Sequence, residues 1–168
     1  MRADLINFET YFWGLSKDDI TYTAELTKAY FKTYLTSIQL PSREFTPEID
    51  LYLSSHIRET QFLLQFGIWR LQSIFETLLK SNFAIETRQG LRKIIKLLKE
   101  QGYYINEETE LLRWTDLRNN LSHSAPERFH PAPSNLIESD LDEYASLLLN
   151  IYSNLEVQLN TKNSNNNA

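Results

Sequence analysis

An arginine, an asparagine and a histidine stand close together in the sequence, and their side chains have the chemistry to act on an anion. Arg118 and Asn119 are adjacent, and His123 follows five positions after the arginine in the stretch R-N-N-L-S-H. An imidazole exchanges protons near neutral pH, because its unperturbed pKa is about 6.5. A guanidinium donates a two-pronged hydrogen bond to phosphate or carboxylate. The three residues are therefore a candidate site that combines proton transfer with binding of negative charge.

A helix predicted over residues 107–123 must position these side chains. Its apolar residues recur at steps of three and four and form one stripe: Leu111, Trp114, Leu117 and Leu121. Arg118 projects within that stripe, so its guanidinium must either reach the surface or meet an anion. At about 100° per residue, Arg118 and His123 lie roughly 140° apart, and only long side chains could converge. Pro126 follows shortly, so we expect the helix to end near His123.

Composition bounds the class of protein. The 168 residues are 42% hydrophobic with a net charge of -5, which is typical of one soluble globular domain. The acidic balance disfavours unspecific duplex binding, so a nucleic-acid role needs a local basic patch. Cysteine is absent, which excludes disulfides and thiolate metal sites and fits a cytoplasmic protein. Apolar runs are too short for a transmembrane helix, and no signal-peptide core opens the sequence, so we expect no membrane association.

Helical spacing of apolar residues predicts an all-α fold, a single-domain antiparallel bundle of about five helices over residues 1–160. Ser16 and Asp19 resemble a capping box at the start of a helix that reaches about Gln39. The longest helix has a regular apolar stripe, formed by Ile57, Leu64, Ile68, Leu71, Phe75 and Leu78. A second stripe adjoins it, formed by Phe62, Phe66 and Trp69, so we expect this helix to be central. A short amphipathic turn is expected within residues 1–15, and residues 161–168 are expected to form a disordered polar tail.

The helix predicted over residues 86–101 is the one local departure from acidity. Its five basic residues against two acidic ones give a charge of +3, with Gly102 as the expected stop. This basic side is most simply a solvated face. It is also the candidate for contact with nucleic-acid phosphates, through Arg88, Arg92, Lys93 and Lys96.

Motifs for other kinds of chemistry are missing from the sequence. There is no glycine-rich phosphate loop, no HExxH or similar histidine spacing, and no Gly-x-Ser-x-Gly elbow. We therefore expect neither a metal ion nor a cofactor.

The stretch R-N-N-L-S-H resembles the R-x4-6-H motif of the HEPN superfamily, in which asparagine often follows the arginine directly, as Asn119 does. The order of elements is also similar: a long apolar helix, further helices, the motif at the end of a late helix, and a closing helix. Within the long helix, F-E-T-L-L-K places Glu76 four residues before Lys80, similar to an E-x3-K pattern whose acid helps to hold the motif arginine. The resemblance covers about residues 50–160, the expected HEPN-like core.

The resemblance implies a metal-independent endoribonuclease, of the kind that serves as a toxin or a defence effector. His123 would be the general acid or base, Arg118 would stabilise charge on the phosphate, Asn119 would orient them, and Glu76 would support Arg118. The basic helix would add RNA contacts. The resemblance also implies a symmetric homodimer with a composite cleft, and restraint by an antitoxin or another regulatory protein.

Two alternatives stay open at the level of sequence. The chain could be a non-catalytic HEPN-like module that binds a nucleotide or a protein partner, because Ser124 and Ala125 stand where the family commonly continues H-x-Y, and Ser81 stands where an arginine often follows the lysine. Alternatively, the motif could be structural. Arg118 would then pair with Glu76 in the core, His123 would cap the helix, and Asn119 would bind backbone.

Overall fold

The computed structural model describes residues 16–38, 47–122 and 136–166, and every regular element within these ranges is a helix. The described helices are α1 (Asp18–Ser37), α2 (Pro47–Asn82), α3 (Leu91–Glu100), α4 (Glu108–Ser122) and α5 (Glu138–Asn166). The prediction of an all-α bundle of about five helices is confirmed. The turn expected within residues 1–15 lies outside the described residues.

Helix α2 is the central element, as its apolar width predicts, because it contacts each of the other four described helices. Helix α5 runs parallel to it, which corrects the antiparallel arrangement expected for the whole bundle. The side-chain amide of Gln61 makes two hydrogen bonds to the backbone of Leu136, of 2.9 and 2.8 Å. Farther along both helices, Asn82 donates to the Tyr152 hydroxyl at 2.8 Å. Helix α1 runs antiparallel to α5, since Lys17 pairs with Glu156 and Lys32 pairs with Glu138.

The three longest helices meet at Gly67, where α2 needs a residue without a side chain. A Cβ atom at this position would lie 2.7 Å from Cγ2 of Thr27 on α1 and 2.8 Å from Cδ2 of Leu141 on α5. Real Cβ atoms do not approach neighbours this closely, so glycine permits the tight packing of α1 and α5 against the same turn of α2.

Local sequence signals place two of the helix ends correctly. The Ser16 hydroxyl accepts from the Asp18 amide at 3.1 Å and the Asp19 carboxylate accepts from the Ser16 amide at 3.0 Å, a reciprocal pattern similar to a capping box, and Lys17 is the residue directly before the helix. At the end of α3, Gly102 has a positive φ of 78°. The Tyr103 amide donates to the Leu98 carbonyl at 2.9 Å and the Gly102 amide donates to the Lys99 carbonyl at 2.8 Å, as in a Schellman motif.

The start of α3 differs from the prediction, because the helix begins at Leu91 and not at residue 86. The reason lies at the end of α2, where Ala84 takes a positive φ of 50°. This turn directs the Ile85 amide back to the Lys80 carbonyl at 3.0 Å and buries the Ile85 side chain. Residues 86–90 then connect the two helices before α3 begins.

The carboxyl end of α5 also corrects the prediction. A disordered tail was expected from residue 161, but α5 continues to Asn166. Lys162 holds this last part of the helix against the loop after α3: its Nζ donates to the Gln101 carbonyl at 2.6 Å and lies 3.8 Å from the centre of the Tyr103 ring. These contacts join residues too far apart in the chain for a helical pattern to indicate them. None of the described helices combines the length and apolar character needed to cross a membrane.

The second apolar stripe of α2 lies on the surface. Phe62 is 67% exposed, Phe66 53% and Trp69 41%, whereas Leu64, Ile68 and Leu71 on the inner side are buried. The two stripes therefore have different roles: the first forms the core from Leu64 onward, with Ile57 at its start 53% exposed, and the second is an aromatic surface beside α4.

Candidate functional site

Arg118 lies near the carboxyl end of α4, where that helix packs against the middle of α2. Its side chain is half-buried, and Nη1 donates to Oδ1 of the neighbouring Asn119 at 3.0 Å. The guanidinium carbon lies 5.7 Å from the centre of the Trp69 ring on α2, within the range of a cation–π contact. The structure thus brings together two of the three motif residues and adds an aromatic support that the sequence pattern did not identify.

His123, the third motif residue, lies outside the described residues. Helix α4 is described to Ser122, which is the residue directly before it. The proximity of the imidazole to Arg118 therefore remains a prediction.

Glu76, the predicted supporting acid, lies on the same part of α2 as the site. Its Oε1 accepts a hydrogen bond of 2.7 Å from Nε2 of Gln72, one turn earlier. Among the ion pairs between described residues, none includes Glu76. The expected direct pair with Arg118 stays a prediction, and both charged groups influence the pKa of one buried tyrosine hydroxyl.

Tyr144 on α5 is that tyrosine. Its side chain is fully buried, its ring stacks on Trp114 at 4.7 Å with 22° between the planes, and its hydroxyl donates to Oε1 of Gln72 at 3.4 Å. Burial raises the pKa of the Tyr144 hydroxyl well above its usual value, the negative charge of Glu76 raises it further, and the positive charge of Arg118 lowers it. Both charged side chains consequently act on the same buried hydroxyl.

Gln72 and Tyr144 were missed by the sequence reasoning. The helical position of Gln72 places this polar residue on the inner side of α2, and that placement was a signal in the sequence. The structure shows that Gln72 is only 2% exposed. A buried amide must be hydrogen-bonded to avoid a cost of roughly 1–3 kcal/mol, so its position predicts polar partners without naming them. Tyr144 fitted an ordinary apolar stripe and gave no such signal.

The basic residues of α3 border the motif helix. Arg92 pairs with Asp116 of α4 at 2.5 Å, and Lys99 pairs with Glu108, so α3 and α4 are joined by ion pairs. Lys96 lies 3.8 Å from Glu100 on its own helix. Arg88 is exposed and Lys93 is half-buried. Of the predicted RNA-contacting residues, Arg92 thus contacts α4, and acidic neighbours offset the charge of Arg92 and Lys96.

An open groove lies between α4 and α5, with a volume of about 350 Å³. It is lined by Thr109, Glu110, Arg113, Trp114, Leu117 and Glu143. Two carboxylates against one guanidinium give this groove a negative balance, which is unsuited to phosphate.

Comparison with known proteins does not extend the resemblance. The chain matches no family model, no curated protein and no solved structure. The proposed function therefore depends on the residues and geometry of the site.

Proposed function

We propose that the chain is a metal-independent endoribonuclease of the HEPN type, acting in the cytoplasm. The observation that supports this most directly is the environment of Arg118, which is held at a helix end by Asn119 and by the ring of Trp69. A guanidinium oriented in this way by its neighbours is suited to stabilise negative charge on a phosphate.

The proposed reaction is transfer of phosphate to the neighbouring ribose hydroxyl. His123 would remove the proton from the 2'-hydroxyl, whose oxygen attacks phosphorus, or would protonate the 5'-oxygen as its bond to phosphorus breaks. Arg118 would stabilise the negative charge of the phosphorane, and Asn119 would fix the guanidinium. Glu76, linked to the core through Gln72, would supply a fixed negative charge behind this site. The products are a 2',3'-cyclic phosphate and a free 5'-hydroxyl.

A homodimer is part of the proposal. Each chain contributes one motif histidine, whereas cleavage employs both a base and an acid, so two motifs facing one cleft would supply both groups. The two Arg118 side chains would also concentrate positive charge in a chain whose net charge is -5. An enzyme of this type would require restraint by an antitoxin or another regulatory protein.

The proposal is tested by incubating purified protein with single-stranded RNA in EDTA. We expect cleavage that leaves 2',3'-cyclic phosphate ends. His123→Ala and Arg118→Ala should each lower the rate by at least about 100-fold, which is the scale of acid–base and electrostatic contributions. His130→Ala is the matched control, since it removes a nearby histidine outside the motif, and it should retain activity. Equal cleavage by wild type and His123→Ala would identify a contaminating nuclease and reject the assignment.

A non-catalytic HEPN-like module is the second candidate. The ion pair between Arg92 and Asp116 favours it, because that pair offsets the charge of one predicted RNA contact. Such a module would bind a nucleotide or a protein partner and would leave RNA intact in the same assay.

A further inference from the structure

We propose that the exposed side of α2 bearing Arg58, Phe62, Phe66 and Trp69, hereafter the aromatic face, binds unpaired bases of single-stranded RNA and leads the strand to Arg118. This inference rests on the proposed ribonuclease function and specifies how its substrate is held. The bound groups would be the bases next to the cleaved phosphate, recognised by stacking and without regard to their sequence.

The spacing of the aromatic face suits successive bases. Phe62 and Phe66 are four residues apart and Trp69 is three further on, so the rings follow one another along a single side of the helix at steps of about 6 and 4.5 Å. The ring centres of Phe66 and Trp69 lie 6.4 Å apart with only 29° between their planes. Both rings are about half exposed, so each is open to a ligand. Aromatic side chains in such rows are the usual platforms for unpaired bases.

The aromatic face ends at the motif. The Arg118 guanidinium lies 5.7 Å from the Trp69 ring centre, so a base stacked on Phe66 would place a neighbouring phosphate close to Arg118. Arg58 stands at the other end, four residues before Phe62 on the same side of the helix, and it is exposed. An arginine at each end and aromatic rings between them is the arrangement expected for a phosphate–base–phosphate ligand.

Charge favours RNA over other occupants. Residues 55–73 contain one acid, Glu59, against Arg58 and Arg70, in a chain whose net charge is -5. The Glu59 carboxylate is 59% exposed, accepts from the Tyr34 hydroxyl on α1 and lies 3.8 Å from Nδ1 of His56. The two arginines outweigh this one acid, so the local balance of charge on α2 is positive and favours a polyanion.

The same charge pattern disfavours a second copy of the chain on this face. A two-fold contact places identical surfaces together, and it would bring two arginines and the single acid Glu59 of one copy against the same set in the other. Charged groups buried in this way are costly unless they are paired. A polyanion brings an excess of negative charge to this surface, whereas a copy of the chain brings the same positive balance.

Binding without cleavage provides the test. The wild-type chain and a panel of variants would each be made on the His123→Ala background, and a fluorescent 12-nucleotide oligouridylate would report binding by anisotropy in EDTA. We expect Phe66→Ala to weaken binding about tenfold or more and Phe66→Trp to retain it, because tryptophan also offers a ring. Tyr22→Ala, which removes an exposed aromatic ring from α1, is the matched control and should leave binding unchanged. The substituted side chains are exposed, so folding is checked by circular dichroism and expected to persist.

The outcomes separate this proposal from the ribonuclease assignment. Binding that depends on Phe66 without cleavage by the His123-containing chain supports the aromatic face and rejects the enzyme. Cleavage with the same KM in wild type and Phe66→Ala retains the enzyme and overturns the aromatic face. The proposal is also overturned if the oligonucleotide does not bind, or if light scattering shows that Phe62→Ala with Phe66→Ala converts a dimer to a monomer, which would make the face a protein interface.

Discussion

Arg118 contacts the ring of Trp69 and the amide of Asn119, so two helices determine the position of a single side chain. Trp69 belongs to α2 and Asn119 to α4. Such a guanidinium loses less freedom on binding a phosphate than one on an open surface, which is the general advantage of a preorganised site.

The buried hydroxyl of Tyr144 gives a prediction for alkaline pH. Burial first, and Glu76 second, raise its pKa in the folded protein above the unfolded value of about 10. A raised pKa contributes stability that is present below pH 10 and is lost as pH rises beyond it, because the unfolded chain releases the proton first. We expect the free energy of unfolding, measured in urea from pH 8 to 11.5, to fall above pH 10. The Tyr144 part of this decline should be about 1.4 kcal/mol per pH unit.

Tyr144→Phe separates this effect from the loss of a hydrogen bond. At pH 8 the variant should be less stable by about 1 kcal/mol, because Oε1 of Gln72 loses its donor. Above pH 10 its decline should be shallower than that of wild type, and Tyr22→Phe, at an exposed position, should behave as wild type. Parallel declines in wild type and Tyr144→Phe would show that the hydroxyl is not held in its neutral form.

At the scale of single residues, the sequence identified which residues are unusual but not which side chains they contact. The position of Arg118 in an apolar stripe allowed two solutions, exposure or an anion, and the structure uses a third component, the Trp69 ring. The identity of that neighbour depends on how α4 crosses α2, which periodicity within α4 does not contain. Likewise, the distance between Arg118 and Glu76 depends on packing between helices.

The ends of the helices show which parts of an element are specified locally. The capping box at Ser16 and the stop at Gly102 were predictable, because their hydrogen bonds join residues within one or two turns. The start of α3 was not, because the chain reverses at Ala84, a residue that rarely takes a positive φ. The exposure of Phe62 also escaped prediction, since helical spacing identifies an apolar stripe without showing whether another element covers it.

Ala84 gives a prediction at the level of the element. Its φ of 50° puts an alanine in the left-handed region at the end of α2, where glycine has no steric cost. We expect Ala84→Gly to raise the free energy of unfolding by about 0.5–1 kcal/mol, the cost of the left-handed alanine less the greater freedom of glycine in the unfolded chain. Urea denaturation at equal slopes measures the difference.

Gly102 is the matched control for this experiment. It holds the equivalent position after α3 with a φ of 78°, and a Cβ atom there would lie 3.3 Å from Nζ of Lys162. Gly102→Ala should therefore destabilise the protein by about 1 kcal/mol, the reverse of the Ala84 change. A destabilised Ala84→Gly variant would indicate that the left-handed turn carries no strain.

On the scale of the whole molecule, the described helices leave the carboxyl end of α4 beside an exposed surface of α2 and not within the core. Core packing is concentrated on the inner sides of α2 and α5, where Leu71, Phe75 and Leu148 are buried. A site at the margin of one chain is placed to be completed by a second chain. The dimer proposed around residues 118–123 is therefore a prediction about assembly, and light scattering at micromolar concentration should give twice the mass of 19.8 kDa.

Mixing two inactive variants tests whether the two chains share the site. If the His123 of one chain works with the Arg118 of its partner, a dimer of one His123→Ala chain and one Arg118→Ala chain keeps one wild-type His123–Arg118 pair in the shared cleft, and the other pair has neither group. Random exchange makes about half of the dimers mixed, each with one of its two pairs intact, so activity should recover to at most roughly a quarter of wild type. Sites built within one chain would give no recovery, because every chain in the mixture lacks one of the two groups. A monomer in solution, or a dimer whose mixed variants stay inactive, would contradict the shared cleft, while cleavage by the wild-type chain would still support the ribonuclease.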